Sequence, residues 1–139
     1  MCGRFTRHHT WAEIHRMYRL IDATETGRND EADYNVAPTR DIPFVTAGEG
    51  GNHKLRVGRW WLVPFWAKEL PKFTLFNARS EDADSKPAFR DSFKTKRCVI
   101  PADGFYEWTK NAGDGGKDPW FIHLPGGAPF SFAGLWAYN

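Results

Sequence analysis

The residue with the clearest chemical potential is Cys2, in the opening sequence MCGRF. Removal of Met1 would leave an amine and a thiol on adjacent carbons. Near neutral pH part of a free α-amine is unprotonated, because its pKa is not far above 7, whereas a free thiol is mostly protonated. The amine can attack an aldehyde to give a Schiff base, and the thiol can then close a five-membered thiazolidine. The alternative is a cysteine without function in a disordered terminus.

The two residues after Cys2 favour the reactive interpretation. Gly3 has no side chain and lets the backbone approach another surface closely. Arg4 offers a planar set of N–H donors whose geometry suits phosphate oxygens. We therefore interpret CGRF as an active N-terminus that works beside a phosphate group.

Two further motifs contain candidate polar groups. In FNARSE, Asn77 and Arg79 are two residues apart, so on an extended chain both would point to one side and could hold a sugar and its phosphate. The alternative is a turn-forming Asn beside a solvated Arg. In PADGFYEW, Glu107 stands between Tyr106 and Trp108, where an apolar setting would raise its pKa and suit it to proton transfer. Strand alternation leaves open that Glu107 simply faces outward.

Aromatic and basic residues supply candidate contacts with nucleic acid. Around Pro64, the turn residues Phe65 and Trp66 are better candidates for base stacking than Trp61, which we expect in the core. The densest basic cluster follows Pro87 and consists of Arg90, Lys94, Lys96 and Arg97. The five histidines include no obvious catalytic base.

Composition limits the class of protein. With 139 residues, 41% hydrophobic and 16% aromatic, the chain can bury one ordinary core, so we expect a single globular domain. A net charge of +2 permits a polyanionic partner but does not identify one. No long apolar run or secretion signal is visible, which predicts a cytoplasmic, nucleoid-associated or nuclear protein. There, Cys2 and Cys98 would be thiols, and their spacing gives no support for a zinc site.

The spacing of apolar and capping residues predicts the main elements. A capping box of Thr10 and Glu13 begins a helix that reaches about Leu20. Later segments predict the following: an extended stretch in YNVAPTRDIPFVTA, a turn at GEGGNH, a strand from Leu55 to Val63, a short helix near Pro87 with Phe89 and Phe93 facing the core, a hairpin of GFYEW and WFIHL joined by a long loop, and a buried strand in PFSFAGLWAYN. The abrupt end of that last strand predicts a missing C-terminal portion.

In order and spacing, several motifs together resemble the SOS response-associated peptidase (SRAP) family: MCGRF, YNVAPT, VPFWAKE, FNARSE, KPAFRDSF, RCVIPADGFYEW and FAGLW. The resemblance covers essentially residues 1–139. It implies an α+β fold, a single domain with a curved, barrel-like, mostly antiparallel β core and flanking short helices. Trp61 departs from the family pattern, which usually has a glycine there, and the family's C-terminal histidine motif would lie beyond Asn139.

The resemblance also implies roles. Cys2 would link covalently to the aldehyde of an abasic site in single-stranded DNA. Asn77 would position Cys2 or the opened sugar, and Glu107 would assist ring opening and proton transfer. Arg4 and Arg79 would hold flanking phosphates, and the further candidate DNA contacts are Pro38, Trp66, Trp108 and Arg90. No cofactor, metal or membrane is expected, and a monomer is expected. Two alternatives stay open: a thiol autopeptidase that removes residues before Cys2, and a noncovalent single-stranded DNA-binding module.

Overall fold

Two four-stranded antiparallel sheets dominate the computed structural model, which describes residues 2–20, 31–73 and 75–139. The strands are β1 (Phe5–Arg7), β2 (Asp33–Val36), β3 (Asp41–Ala47), β4 (His53–Arg59), β5 (Arg97–Ala102), β6 (Gly104–Lys110), β7 (Lys117–Ile122) and β8 (Phe130–Leu135). One sheet has the order β2-β1-β6-β7 and the other the order β4-β3-β5-β8. Two short helices, α1 (Trp11–Tyr18) and α2 (Arg90–Thr95), accompany them. The predicted α+β class is confirmed.

The sheets do not close on each other, which corrects the barrel-like part of the prediction. Within the described ranges each strand belongs to one sheet only, and the chain passes between sheets at corners such as Asp103, between β5 and β6. The described residues include no helix long and apolar enough to cross a membrane.

Helix α1 begins where its sequence predicts. The Thr10 side chain accepts a hydrogen bond from the Glu13 backbone N–H, and the Glu13 carboxylate accepts one from the Thr10 N–H at 2.7 Å. This pair satisfies two of the free donors at a helix start. Ile14 anchors the helix with 1% of its surface exposed. The helix ends at Tyr18, slightly before the predicted end, because Arg19 adopts the left-handed conformation (φ 50°).

Both predicted hairpins are present. Strands β3 and β4 pair along their full length from Asp41↔Arg59 to Ala47↔His53, around a turn that contains GEGG. Strands β6 and β7 pair from Phe105↔Ile122 to Lys110↔Lys117. Their connection, residues 111–116, is ordered by the Asn111 and Asp114 side chains, which accept hydrogen bonds from backbone N–H groups two residues later.

Three local predictions are wrong. The strand predicted from Leu55 to Val63 ends at Arg59, where the chain turns. The helix predicted to begin near Pro87 begins at Arg90. Phe89, just before it, is buried as expected, but Phe93 is 38% exposed. The last strand, β8, lies at a sheet edge beside β5, so its residues alternate between exposed and half-buried.

The core lies where the two sheets face each other. Phe5, Val36, Ile42 and Ala102 are buried at its centre, and half-buried aromatic residues surround them. The Phe5 ring contacts Trp60 edge-on at 5.0 Å between centroids, the geometry that ring quadrupoles favour. Strand β1 is only three residues long, so this burial is what fixes it between β2 and β6.

Replacing Phe5 with Ala should therefore cost about 3–5 kcal/mol of unfolding free energy, because it opens a cavity beside Trp60 that the sheets cannot close. The matched control is Phe73→Ala: that ring is 68% exposed, and its loss should change stability by less than about 0.5 kcal/mol. Urea denaturation of both variants measures the difference. Equal stability losses would contradict this description of the core.

Candidate active site around Cys2

Pairing between β1 and β6 brings Cys2 and Glu107 to the same region. Phe5 pairs with Phe105, and the Tyr106 N–H donates to the Arg4 carbonyl at 3.0 Å. Glu107 shares its strand face with Phe105, which packs against the core, as Cys2 does. The half-buried Glu107 therefore lies on the inner face of the sheet, and the outward-facing alternative is wrong.

Asn77 reaches the same place from a distant part of the chain. Its amide Nδ2 donates a hydrogen bond to the Cys2 carbonyl oxygen at 2.7 Å, across 75 residues of sequence. The segment that carries Asn77 is held by the indole N–H of Trp60, which donates to the Phe76 carbonyl at 3.0 Å. Because the Asn77 amide binds the backbone of Cys2, it fixes the position of Cys2 without bonding to the thiol.

The environment of Cys2 favours its protonated thiol. Burial raises the pKa of the Cys2 thiol because it disfavours the charged thiolate, and the negative charge of Glu107 raises this pKa further. A hydrogen bond from the Arg4 backbone to the thiolate acts in the opposite direction without cancelling the rise. The thiol itself donates to the Arg4 carbonyl at 3.2 Å. At neutral pH Cys2 is therefore a thiol held in place beside a carboxylate.

The second cysteine has a different environment. Cys98 is 8% exposed in β5, and burial raises its pKa to about 12. Such a thiol supplies almost no thiolate near neutral pH. Of the two cysteines, only Cys2 combines partial exposure with polar neighbours.

Two concave surfaces meet near Cys2. A cleft of about 530 Å³ is lined mainly by apolar residues, among them Phe5, Trp60 and Phe132, with Cys2 and Asn77 on its wall. A shallower groove begins next to Cys2 at Gly3 and Arg4 and is lined further by Tyr34, Asn35, Tyr106, Trp108 and Pro119. In this groove Arg4 donates to the Asn35 side chain at 2.8 Å. The groove combines a cation with exposed aromatic rings.

The structure unites some of the predicted site residues and separates others. Cys2, Arg4, Asn77 and Glu107 lie together, and Trp108, 43% exposed, lies in the groove beside Arg4. The other predicted DNA contacts line neither concavity among the described residues: Pro38, Trp66, Arg79 and Arg90. Trp66 and Arg79 are exposed, Pro38 is half-buried in a turn, and Arg90 makes an ion pair with Asp91 at 3.6 Å.

Sequence reasoning missed Tyr34 and Asn35 as groove residues. Both are exposed on β2, and they reach the groove only because β2 pairs with β1 through Val36↔Phe5. The motif YNVAPT contains them, but nothing in its spacing distinguishes a groove-lining tyrosine from an ordinary exposed strand residue. Trp61, expected in the core, is half-buried on the wall of the cleft.

Comparison with known proteins identifies the family. A family model described as SOS response associated peptidase (SRAP) matches residues 1–139. The chain belongs to the SRAP family. The motif-based resemblance is thereby confirmed over the whole chain.

Relatives and solved structures agree with this family. The abasic site processing protein YoaM of Bacillus subtilis is 41% identical over 137 residues, which cover 98% of this chain and 59% of YoaM. The abasic site processing protein HMCES of Gallus gallus is 46% identical over 104 residues, covering 66% of this chain and 30% of HMCES. A crystal structure of a Bacteroides thetaiotaomicron protein superposes with a TM-score of 0.81 at 25% identity, covering 97% of this chain and 61% of that one. This SRAP chain therefore spans about three fifths of the length of YoaM.

The raised pKa of Cys2 predicts a shifted alkylation profile. In a Cys98→Ala background, the rate of Cys2 alkylation by iodoacetamide should rise with pH, since only the thiolate reacts. The inflection of this profile should lie at a higher pH than that of an ordinary thiol. Glu107→Gln removes a negative charge that raises this pKa, so the inflection should move to lower pH. Glu69→Gln, a change at an exposed glutamate, is the control and should leave it in place. An inflection unaffected by Glu107→Gln would contradict the electrostatic effect of Glu107 on the Cys2 thiol.

Proposed function

We propose that this chain processes abasic sites in DNA by capturing the aldehyde of the opened sugar covalently through Cys2. The observation that carries the proposal is the convergence of Cys2 with Asn77 and Glu107 beside a groove that contains Arg4. The names of YoaM and HMCES, both abasic site processing proteins, support the same substrate. The SRAP family alone does not specify the chemistry, which rests on the residues.

The proposed capture has two steps and needs a free α-amine on Cys2. While Met1 is attached, that nitrogen is an amide and cannot react. Once it is free, the amine adds to the aldehyde carbon and water leaves, giving a Schiff base. The thiol sulfur then adds to the imine carbon while its proton passes to the nitrogen, and the thiazolidine ring closes. No oxidant or cofactor is required.

Each neighbour has a defined part in this chemistry. Because the Cys2 thiol is protonated near neutral pH, its proton must be moved as the C–S bond forms, and the Glu107 carboxylate is placed to accept or return it. Asn77 holds the carbonyl of Cys2 and so orients the attacking residue. Asn77 is thus a positioning residue.

The groove supplies the proposed contacts with DNA. The guanidinium of Arg4 uses one N–H toward Asn35 and retains further donors for a phosphate. Trp108 and Tyr34 are 43% and 63% exposed and offer faces on which unpaired bases can stack. Such stacking requires bases that are not in a duplex, so we propose single-stranded DNA as the form bound. Neither contact reads a particular base, which suits a lesion that has none.

A denaturing gel tests the covalent step. Protein whose mass shows that Met1 is absent is incubated with a single-stranded oligonucleotide that contains one abasic site. A slow band should form with the wild-type chain and with Cys98→Ala, which removes the buried cysteine, but not with Cys2→Ala. If Cys2→Ala gives the same band, another residue is the nucleophile. If no variant gives a band but all bind the strand in a native gel, the noncovalent alternative is correct.

The same assay separates the roles of the neighbours. Glu107→Gln should slow crosslink formation about 100-fold, the lower end of the range for loss of a general acid–base group. Asn77→Ala should slow it less, by about tenfold, because it loosens Cys2 without removing a reacting group. Asn111→Ala, in the exposed β6–β7 loop, is the matched control. Crosslinking at the wild-type rate in Glu107→Gln would remove Glu107 from the mechanism.

The family description also supports a second candidate, a self-cleaving peptidase. Here the Cys2 thiol would attack the carbonyl of the preceding residue, transfer that acyl group from nitrogen to sulfur, and release it by hydrolysis. An N-terminal Gly-Ser-Gly extension tests this, since cellular methionine removal cannot cleave before Cys2 in that context. Intact mass should show loss of the extension in wild type and its retention in Cys2→Ala. Equal retention in both would exclude self-cleavage.

A further inference from the structure

A second polar cluster lies at the other end of β1, apart from Cys2. Its centre is Asp103, whose side chain is 1% exposed at the corner between β5 and β6. One carboxylate oxygen, Oδ1, accepts a hydrogen bond from the Thr6 hydroxyl. The other, Oδ2, accepts from the His8 backbone N–H at 2.7 Å and lies 3.0 Å from His8 Nδ1 and 3.7 Å from His9 Nε2. Two imidazoles thus converge on a single buried carboxylate oxygen.

His9 has a buried ring nitrogen that a cation would stabilise. Its Nδ1 is 3.5 Å from the Glu13 carboxylate, and its side chain is only 12% exposed. Its Nε2 is buried and has no hydrogen-bond partner among the described residues. With the ring proton on Nδ1 toward Glu13, Nε2 directs a lone pair at a carboxylate oxygen, which is unfavourable unless a positive charge lies between them.

We propose that His8 Nδ1, His9 Nε2 and Asp103 Oδ2 form a binding site for a divalent transition-metal ion, best suited to Zn²⁺. Tetrahedral zinc with ligands at about 2.0–2.1 Å places ligand atoms about 3.3 Å from each other. The two distances from Asp103 Oδ2, 3.0 and 3.7 Å, lie on either side of that value. All three ligand atoms lie within 4.8 Å of one another, so small side-chain rotations complete the geometry.

The groups that hold the three ligand residues resemble those around known zinc centres. Glu13 beside the distal nitrogen of His9 gives a carboxylate–histidine–metal arrangement, which fixes the ring and its tautomer. Thr6 holds the other oxygen of Asp103 in the same way. The His8 side chain is 41% exposed, so the fourth position opens to solvent and would hold water. Three protein ligands with one open position are typical of accessible zinc sites.

The same groups can be satisfied by a proton instead of a metal. A doubly protonated His9 would donate to both Glu13 and Asp103, and the cluster would then be a structural ion pair. This alternative predicts no specific metal binding. The sequence shows no spacing that could distinguish the two, because Asp103 is separated from the adjacent histidines by more than 90 residues.

Metal titration distinguishes them. Chelator-treated protein is titrated with Zn²⁺ in competition with a chromophoric chelator, and Co²⁺ is used separately as a spectroscopic probe. We expect one ion per chain, an absorption spectrum of cobalt with nitrogen and oxygen ligands, and a higher melting temperature with Zn²⁺. His9→Ala should weaken Zn²⁺ binding at least 100-fold and abolish the rise in melting temperature. His123→Ala, which alters an exposed histidine elsewhere, should change neither.

A conservative variant keeps the test valid if His9→Ala does not fold. Glu13→Gln retains the capping box, which accepts either Glu or Gln, and removes only the carboxylate beside His9. It should weaken Zn²⁺ binding about tenfold, the lower end of the range for such supporting residues. Zn²⁺ affinity unchanged by both His9→Ala and Glu13→Gln, or no one-to-one binding at all, would overturn the proposal in favour of the protonated ion pair. Neither result depends on the reactivity of Cys2.

Discussion

The antiparallel pairing of β1 with β6 is the constraint on which the rest of this structure depends. Phe5 opposite Phe105 sets the register, and a shift by one residue would turn every side chain of β1 to the other face of the sheet. In the register observed, Phe5 enters the core while Cys2 packs against it on the same inner side as Glu107. The carbonyl of Arg4 joins the two roles, because it accepts from both the Tyr106 N–H and the Cys2 thiol. The strand ladder therefore positions the thiol directly.

This arrangement explains why Cys2 has a raised pKa. Reactive cysteines in many enzymes have a lowered pKa, because nearby cations stabilise the thiolate. Here a carboxylate and burial do the reverse. In the proposed reaction the amine attacks first and the thiol closes the ring afterwards, and a neutral thiol competes less with the amine for the aldehyde than a thiolate would. In the proposed reaction, the carboxylate that disfavours the thiolate would also accept the thiol proton as the ring closes.

Local features of the fold could be predicted from the sequence, but most long-range contacts of the site could not. The capping box of α1 and the β6–β7 hairpin depend on residues close in the chain, and both predictions are confirmed. Motif resemblance selected Asn77 and Glu107, yet no spacing indicates that Asn77 binds the backbone of Cys2. The same limit applies to Tyr34 and to Asp103, whose partners are set by strand pairing. The predicted direction of Phe93 is wrong because a helix of six residues has room for little more than one buried position.

The cluster around Asp103 also accounts for the stability of a strand that is otherwise too short. An isolated three-residue strand gains few ladder hydrogen bonds against the entropy of ordering it. Thr6 within the strand and His8 just beyond its C-terminal end are tied to the buried carboxylate of Asp103, and before its N-terminal end Asn77 holds Cys2. The strand is thus anchored at both ends by side chains from distant segments. A cation placed between Asp103 and the two histidines would strengthen the anchor at Asp103, because it would attract the carboxylate and both imidazole nitrogens.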